Sequence, residues 1–166
     1  MKVSEFMAEI TQNASAAGEI SANRMLLAVD CSTSGSAASI GDYDIAFVHI
    51  ENLGAALSTK TTDKSYLYEG ESTLKTGTQR TFNLTGQRYK GDAFQDFCCS
   101  HDIKFGVGSA VQRGYVYFNV DSGKGEKGSV SIIVKKDGAA ASGNPTDVEI
   151  DLMAIGTPEE YTYSAT

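Results

Sequence analysis

Apolar and polar positions alternate along most of this chain with the period of two expected of half-buried strands. Met25–Asp30 reads as a first strand, followed by a turn over residues 32–36. Tyr43–Ile50 alternates loosely and is rich in β-branched and aromatic residues, so it reads as a second. Thr81–Gly86 places Phe82 and Leu84 on one face and Thr81, Asn83 and Thr85 on the other. Arg113–Val120, Ser129–Lys135 and Asp147–Ile155 follow the same rule, with a glycine-rich turn at 122–128 and a loop at 137–146 between them. One stretch has helical spacing. Asp92 is placed to cap it, Phe94, Phe97, Cys98 and His101 fall at i, i+3, i+4 and i+7, and Gly106 stands where a helix would close.

Two segments do not fit either period cleanly. In residues 1–23, Phe6, Met7, Ile10, Ala14 and Ala17 roughly follow helical spacing, which suggests a short helix or an arm that orders against a neighbour. Residues 58–79 hold many Thr, Ser, Lys and Glu around Tyr66, Leu67 and Tyr68. They read as a long polar loop, and loops of that length inside a small domain tend to be functional. The sum is six or seven strands with one helix between the fourth and fifth. That is a single mainly-β domain spanning residues 1–166, an antiparallel β-sandwich or open barrel with one flanking α-helix.

Composition narrows the function. Leu, Ile, Val and Phe make up about a fifth of the 166 residues, enough for one modest core. Such a chain gains stability when neighbours bury what it leaves wet. The net charge of −7 leaves no cationic surplus for gripping nucleic acid. The longest strongly apolar run, Met25–Val29, is far too short to span a bilayer, and the N-terminal residues show no apolar signal core. Three cysteines do not make a disulfide framework, so a reducing compartment during synthesis is expected.

Chemistry of sites has little to work with. Cys98, Cys99 and His101 lie within four residues, but Cys98 and Cys99 are about 100° apart on a helix, and only His49 and Cys31 remain as further ligands. Packing is the better reading of Cys98. Neither histidine sits in a nucleophile motif, and no Gly-x-Ser-x-Gly elbow occurs. Gly123–Gly128 is glycine-rich and basic but lacks the order of a phosphate-binding loop, and a strand follows it. No catalytic residue, metal or cofactor is expected. The C-terminal part is distinctive: after Lys136 come six acids and no Lys or Arg. Asp147, Glu149 and Asp151 alternate with Val148, Ile150 and Leu152, which puts three carboxylates on one face of one strand. Repeated around a channel, that face would form an acidic wall that repels a polyanion.

An ordered set of segments carries a resemblance. They are Lys75-Thr-Gly-Thr-Gln-Arg80, the run Thr85–Phe97 entering the helix, Gly114-Tyr-Val-Tyr-Phe118, Gly123–Gly128 and Gly156-Thr-Pro-Glu-Glu-Tyr161. Together they resemble the major tail tube proteins of long-tailed, non-contractile (siphovirus-type) bacteriophages, over about half the chain. The resemblance implies a structural virion protein, assembled in the bacterial host cytoplasm and located in the tail. It would form hexameric rings that stack into a tube, with a continuous barrel around a lumen through which genome DNA is ejected without specific binding. Its implied partners are copies of itself and other tail proteins (tape measure, terminator and distal tail proteins), with no membrane. On this reading the 58–79 loop, with Tyr66, Tyr68 and Lys75, contacts neighbouring subunits. Arg80 and Arg88 pair with acids across rings, and Asp147, Glu149 and Asp151 face the lumen. The rivals are a tube protein of a contractile tail or injection device, and a monomeric β-sandwich binding module. The absence of Trp weighs against the second rival.

Overall fold

A computed structural model describes residues 1–13, 15 and 17–164. Seven strands follow one another: β1 (Met25–Val29), β2 (Asp44–Ile45), β3 (Ile50–Tyr66), β4 (Gly70–Gln87), β5 (Gln112–Asn119), β6 (Lys124–Ala139) and β7 (Asp147–Thr162). They form one antiparallel sheet in the order β2-β1-β5-β6-β7-β4-β3. The helices are short: α1 (Val3–Ala8), α2 (Ala93–Cys98) and α3 (His101–Lys104). The fold is mainly β with flanking helix between the fourth and fifth strands, as the periodicity predicts.

The sheet curls on itself. β4 and β5 are separated by two strands, which in a flat sheet would hold them roughly 14 Å apart. Yet the Phe82 ring of β4 meets Tyr115 and Tyr117 of β5 edge-on, with centroids 5.3 and 5.1 Å apart. The concave face encloses the main core: Leu27 and Val29 of β1, Phe82 and Leu84 of β4, Val130 and Ile132 of β6, and Val148, Ile150 and Leu152 of β7. Phe94, Cys98 and Ile103 from α2 and α3 join this core. β1 and β5 bury their other face as well. Leu26, Ala28, Val116 and Phe118 form a second core under α1, which contributes Val3 and Met7.

Four expectations need correction. Residues 58–79 are not a loop. They are the outer part of a β3–β4 hairpin in continuous register from Leu57↔Arg80 to Tyr66↔Gly70, with one irregularity at Lys60/Thr61. Thr and Tyr favour extended backbone, and the polar composition marks exposure of both faces, not loss of pairing. The Tyr43–Ile50 segment forms a strand only at Asp44–Ile45, then turns, with His49 at φ 54. The expected single helix is two, because the chain breaks at Cys99 and restarts after Ser100. Asp92 does cap the first, accepting from the Gln95 N–H at 3.0 Å. At the N-terminus the helical spacing is real but ends at Ala8, and Ala14 lies outside the described residues.

The 122–128 turn is also tighter than expected, since β6 already begins at Lys124. Gly125 is there for close approach: a Cβ would collide with the Tyr117 carbonyl oxygen and with Phe118 Cα, both of them backbone atoms of the paired strand. Gly125→Ala is therefore expected to cost roughly 1–3 kcal/mol. Gly138→Ala, which adds its methyl to open space, should stay within about 0.5 kcal/mol. Urea unfolding of the two variants separates them.

Candidate functional site

The hairpin leaves the body as a two-stranded ribbon. β4 pairs with β7 only from Gln87↔Asp147 to Thr81↔Met153. Beyond that point the two strands part, and Gln79 Nε2 reaches back to the Ala154 carbonyl at 3.0 Å. The groove in the fork is lined by Leu57, Lys75, Thr78, Arg80, Glu126 and Pro158. Two-stranded ribbons without a third layer are marginal in water, and this one carries apolar side chains that no other element covers among the described residues. Leu67 and Tyr68 at the tip are 96% and 99% exposed, and Tyr66, Leu57 and Leu74 are about half exposed. Tyr66, Tyr68 and Lys75 thus sit together on one projecting element. Leu67 lies at the tip between the two tyrosines, and Leu57 and Leu74 belong with them but escape sequence reasoning, because polar neighbours mask them as isolated apolar residues.

Arg80 and Arg88 stand differently from expectation, since the chain itself supplies their partners. Arg80 Nε and Nη2 donate to the two carboxylate oxygens of Glu126 at 2.6 and 3.1 Å. Its guanidinium lies 5.5 Å from the ring centroids of Phe82 and Tyr117. The hydrogen bond to Glu126 outweighs burial and holds the Arg80 pKa above its ordinary value. Burial beside Glu126 pushes the Tyr115 phenol up. This pair joins β4 to β6 at the root of the ribbon. Arg88 bonds Asp96 of α2 through Nη2 at 2.5 Å and donates to the Tyr89 carbonyl at 2.6 Å. Arg80 finds its acid within the chain because the sheet curls, and Arg88 finds one eight residues on because the chain turns from β4 into α2; strand periodicity reveals neither.

Asp147, Glu149 and Asp151 do share the convex face of β7, opposite Val148, Ile150 and Leu152. They are not an unpaired row, however. Lys135 Nζ lies 2.5 Å from Asp151 and 3.8 Å from Glu149, and Lys136 Nζ lies 3.3 Å from Glu149. Asn83 of β4 also donates to Asp151 at 2.5 Å. Asp151 is buried under these contacts, Glu149 is partly covered, and Asp147 is exposed. The register explains the pairing: β6 runs beside β7 with Val134 opposite Ile150 and Lys136 opposite Glu149. Lys135, one step out of phase with the inward Val134, was the sequence signal. The surface is a mixed carpet of acids and lysines, not a bare acidic wall.

Cys98 is fully buried in the main core, and burial raises its thiol pKa well above the usual value. Cys99 caps the end of α2. Among the described residues no group of three or more His, Cys, Asp or Glu side chains is placed to hold a metal ion.

Known proteins share this architecture without sharing its sequence. No protein-family model matches the chain, and no curated relative matches it significantly. Solved structures do match. A chain from the tail of an empty gene transfer agent particle, refined helically with C6 symmetry, superposes with a TM-score of 0.61 at 14% identity. The match covers 87% of this chain and 100% of that one. A chain from the virion of a native gene transfer agent particle gives 0.58 at 11% identity, with the same coverage. This chain shares their fold over their whole length.

The intrachain pairs can be tested one by one. Glu126→Gln strips a half-buried arginine of its counter-charge and is expected to cost about 1–3 kcal/mol, measured by urea unfolding. The Asp96 carboxyl is held below its ordinary value of 3.8, chiefly by the Arg88 hydrogen bond. A depressed folded pKa gives stability that is present above the unfolded value and lost as pH falls through the folded one. An NMR titration should place the Asp96 midpoint below 3.8, and Arg88→Ala should return it towards that value.

Proposed function

We propose that this chain is the structural subunit of a phage-type tail tube, polymerising as stacked hexameric rings around a lumen that conducts genome DNA. The observation that carries the reading is the pair of unpartnered strand edges. β3 ends the sheet, so its outer edge from Ile50 to Tyr66 pairs with no strand among the described residues. β6 pairs with β5 only from Gly125 to Ser131, which leaves the Ile132–Ala139 edge without a strand on that side among the described residues. Long free edges are an aggregation hazard in a monomer. Joined edge to edge, β3 of one copy beside β6 of the next, they would close a ring in which each copy contributes β6, β7, β4 and β3.

Such a ring turns one face of those strands inward. The convex face bears Thr81, Asn83, Thr85, Lys135, Glu149 and Asp151, with no large aromatic side chain among them. Asp147, Glu149 and Asp151 would face the lumen, with Lys135 and Lys136 tempering their charge, so that a polyanion meets neither strong attraction nor a large barrier. The fold shared with a chain of a C6-symmetric particle tail supports the hexamer. The exposed ribbon, with Tyr66, Tyr68 and Lys75, would seat on a neighbouring copy, where tyrosine offers area and a hydrogen bond at low entropic cost. Other tail proteins would cap the two ends, and the site of action would be the virion tail. The siphovirus-type tail, with assembly in the host cytoplasm, is the finer form of this reading.

Negative-stain electron microscopy of the concentrated protein should show hollow tubes of uniform width. The paired change Tyr66→Ala, Tyr68→Ala should reduce tube mass by about ten-fold or more, the equivalent of some 1.4 kcal/mol per contact, while circular dichroism stays unchanged. Unimpaired tubes would remove the ribbon from the interface, and a strict monomer at every concentration would count against the tube.

A further inference from the structure

Outside the ribbon, the two most exposed large apolar side chains among the described residues stand two positions apart in one loop. Phe105 is 71% exposed and Val107 83%. Ile103 of α3, just before them, sits in the main core, so the loop leaves from the concave side of the sheet. Val111, just after them, is buried too. The backbone between is held. Gly106 packs so closely on the Asp102 carbonyl that a Cβ would collide with it. The Phe105 ring lies 5.0 Å from the His101 ring, centre to centre, and Lys104 Nζ lies 5.7 Å from its centroid. Scattered exposed apolar residues are ordinary on a protein surface. The position of this pair is not.

The pair stands beside the free part of β6. Lys104 Nζ bonds the Asp137 carboxylate at 2.6 Å, which ties the end of α3 to the far end of that strand. β5 begins its pairing only at Gln112↔Ser131, after a tight helical turn at Gly108–Val111. The residues that would have continued β5 along the Ile132–Ala139 edge are therefore the ones that turn away as this loop. At the other side of the four-strand set, β3 carries matching side chains. Ile132, Leu152, Phe82 and Ala55 stand in one row across β6, β7, β4 and β3, and Val134, Ile150, Leu84 and Leu53 stand in another. Both rows face the concave side, and Leu57, two residues on from Ala55, faces it as well. Leu53 is partly buried, whereas Ala55 and Leu57 are exposed. Successive strands of the set alternate in direction, so β3 of a copy related by rotation runs antiparallel to the β6 edge it meets.

We propose that Phe105 and Val107 are the second layer of the joint between copies: they seat on the Leu53–Leu57 face of the β3 that a second copy lays along β6. The edge beside the pair accepts a strand, and β3 is a long free strand with apolar side chains on the side where the pair stands. Backbone pairing alone makes a weak joint, because two paired strands need a packed apolar face to be stable in water. Here β6 brings the backbone partner and the loop brings the apolar cover, and both act on one incoming strand. The same geometry accounts for the early start of the loop, since a β5 that continued its pairing would fill the edge that the neighbour needs. The inference rests on the tube reading for the edge-to-edge joint and names what packs on it.

Assembly and cross-linking test it together. Phe105→Ser with Val107→Ser changes only exposed side chains, so circular dichroism should stay as it is while tube mass falls about ten-fold. Tubes in undiminished amount would overturn the inference. They would leave the pair free on the tube wall for a different protein, and the tube reading would survive. A wild-type chain that is monomeric at every concentration would defeat the tube reading itself, and the inference with it. The second measurement keeps Phe105 in place. A Val107→Cys chain is assembled with an Ala55→Cys or a Leu57→Cys chain, oxidised and run on a non-reducing gel. The unsubstituted chain, with its own three free cysteines, sets the background. Disulfide-linked pairs of the two different chains are expected well above that background, and each substituted chain alone should stay near it. Mixtures that link no more than the background would overturn the seat.

Discussion

Every peptide unit in a strand carries a donor and an acceptor, and both edges of a sheet must find partners or water. The architecture of this molecule follows from how that demand is met. The curl of the sheet lets five strands share one concave core, so the interior is satisfied with few large residues. Curling without closing leaves edges at β3 and at the far half of β6, and these are long. Burial on the concave side fixes where each strand sits, and the unmet edges fix where another copy would have to come.

The helices serve that curl. α2 and α3 fill the mouth of the trough with Phe94, Cys98 and Ile103, while Gln95 of α2 donates to the carbonyls of Val48 and Gln87. That side chain satisfies one carbonyl in the turn before β3 and one at the end of β4. α1 works from the other side, closing the face that β1 and β5 turn away from the trough. A strand dry on both faces has no reason to alternate, and β1 reads Met25-Leu26-Leu27-Ala28-Val29, whereas β4, β6 and β7 alternate.

This division explains what the sequence could and could not reveal. Strands with one dry face announce themselves by a period of two, and the inward residues of β4, β6 and β7 were legible: Phe82, Leu84, Val130, Ile132, Val134, Val148, Ile150 and Leu152. The ribbon was not, because a strand exposed on both faces has no hydrophobic period to show. Nor were the partners of Arg80, Arg88 and Asp151, since each pair joins residues from different elements. Glu126 lies opposite Arg80 only after the sheet has curved. Nothing in the sequence singles out Asp44 within the Tyr43–Ile50 segment, and its burial under Lys2 depends on α1 folding back over β2. Local pattern encodes which face is dry, and curvature decides which charges meet.

The irregularity at Lys60/Thr61 has a mechanical side. The register steps past Thr76, whose hydroxyl donates to the Lys60 carbonyl at 3.2 Å. Such a bulge bends its strand and increases the local twist. It lies beyond the Arg80–Glu126 pair that anchors the ribbon at its root. The projection is therefore clamped where it leaves the body and re-aimed further out, like a bracket with a set bend. The direction in which the tip points is thus set by one extra residue, Thr76, and not by the length of the ribbon.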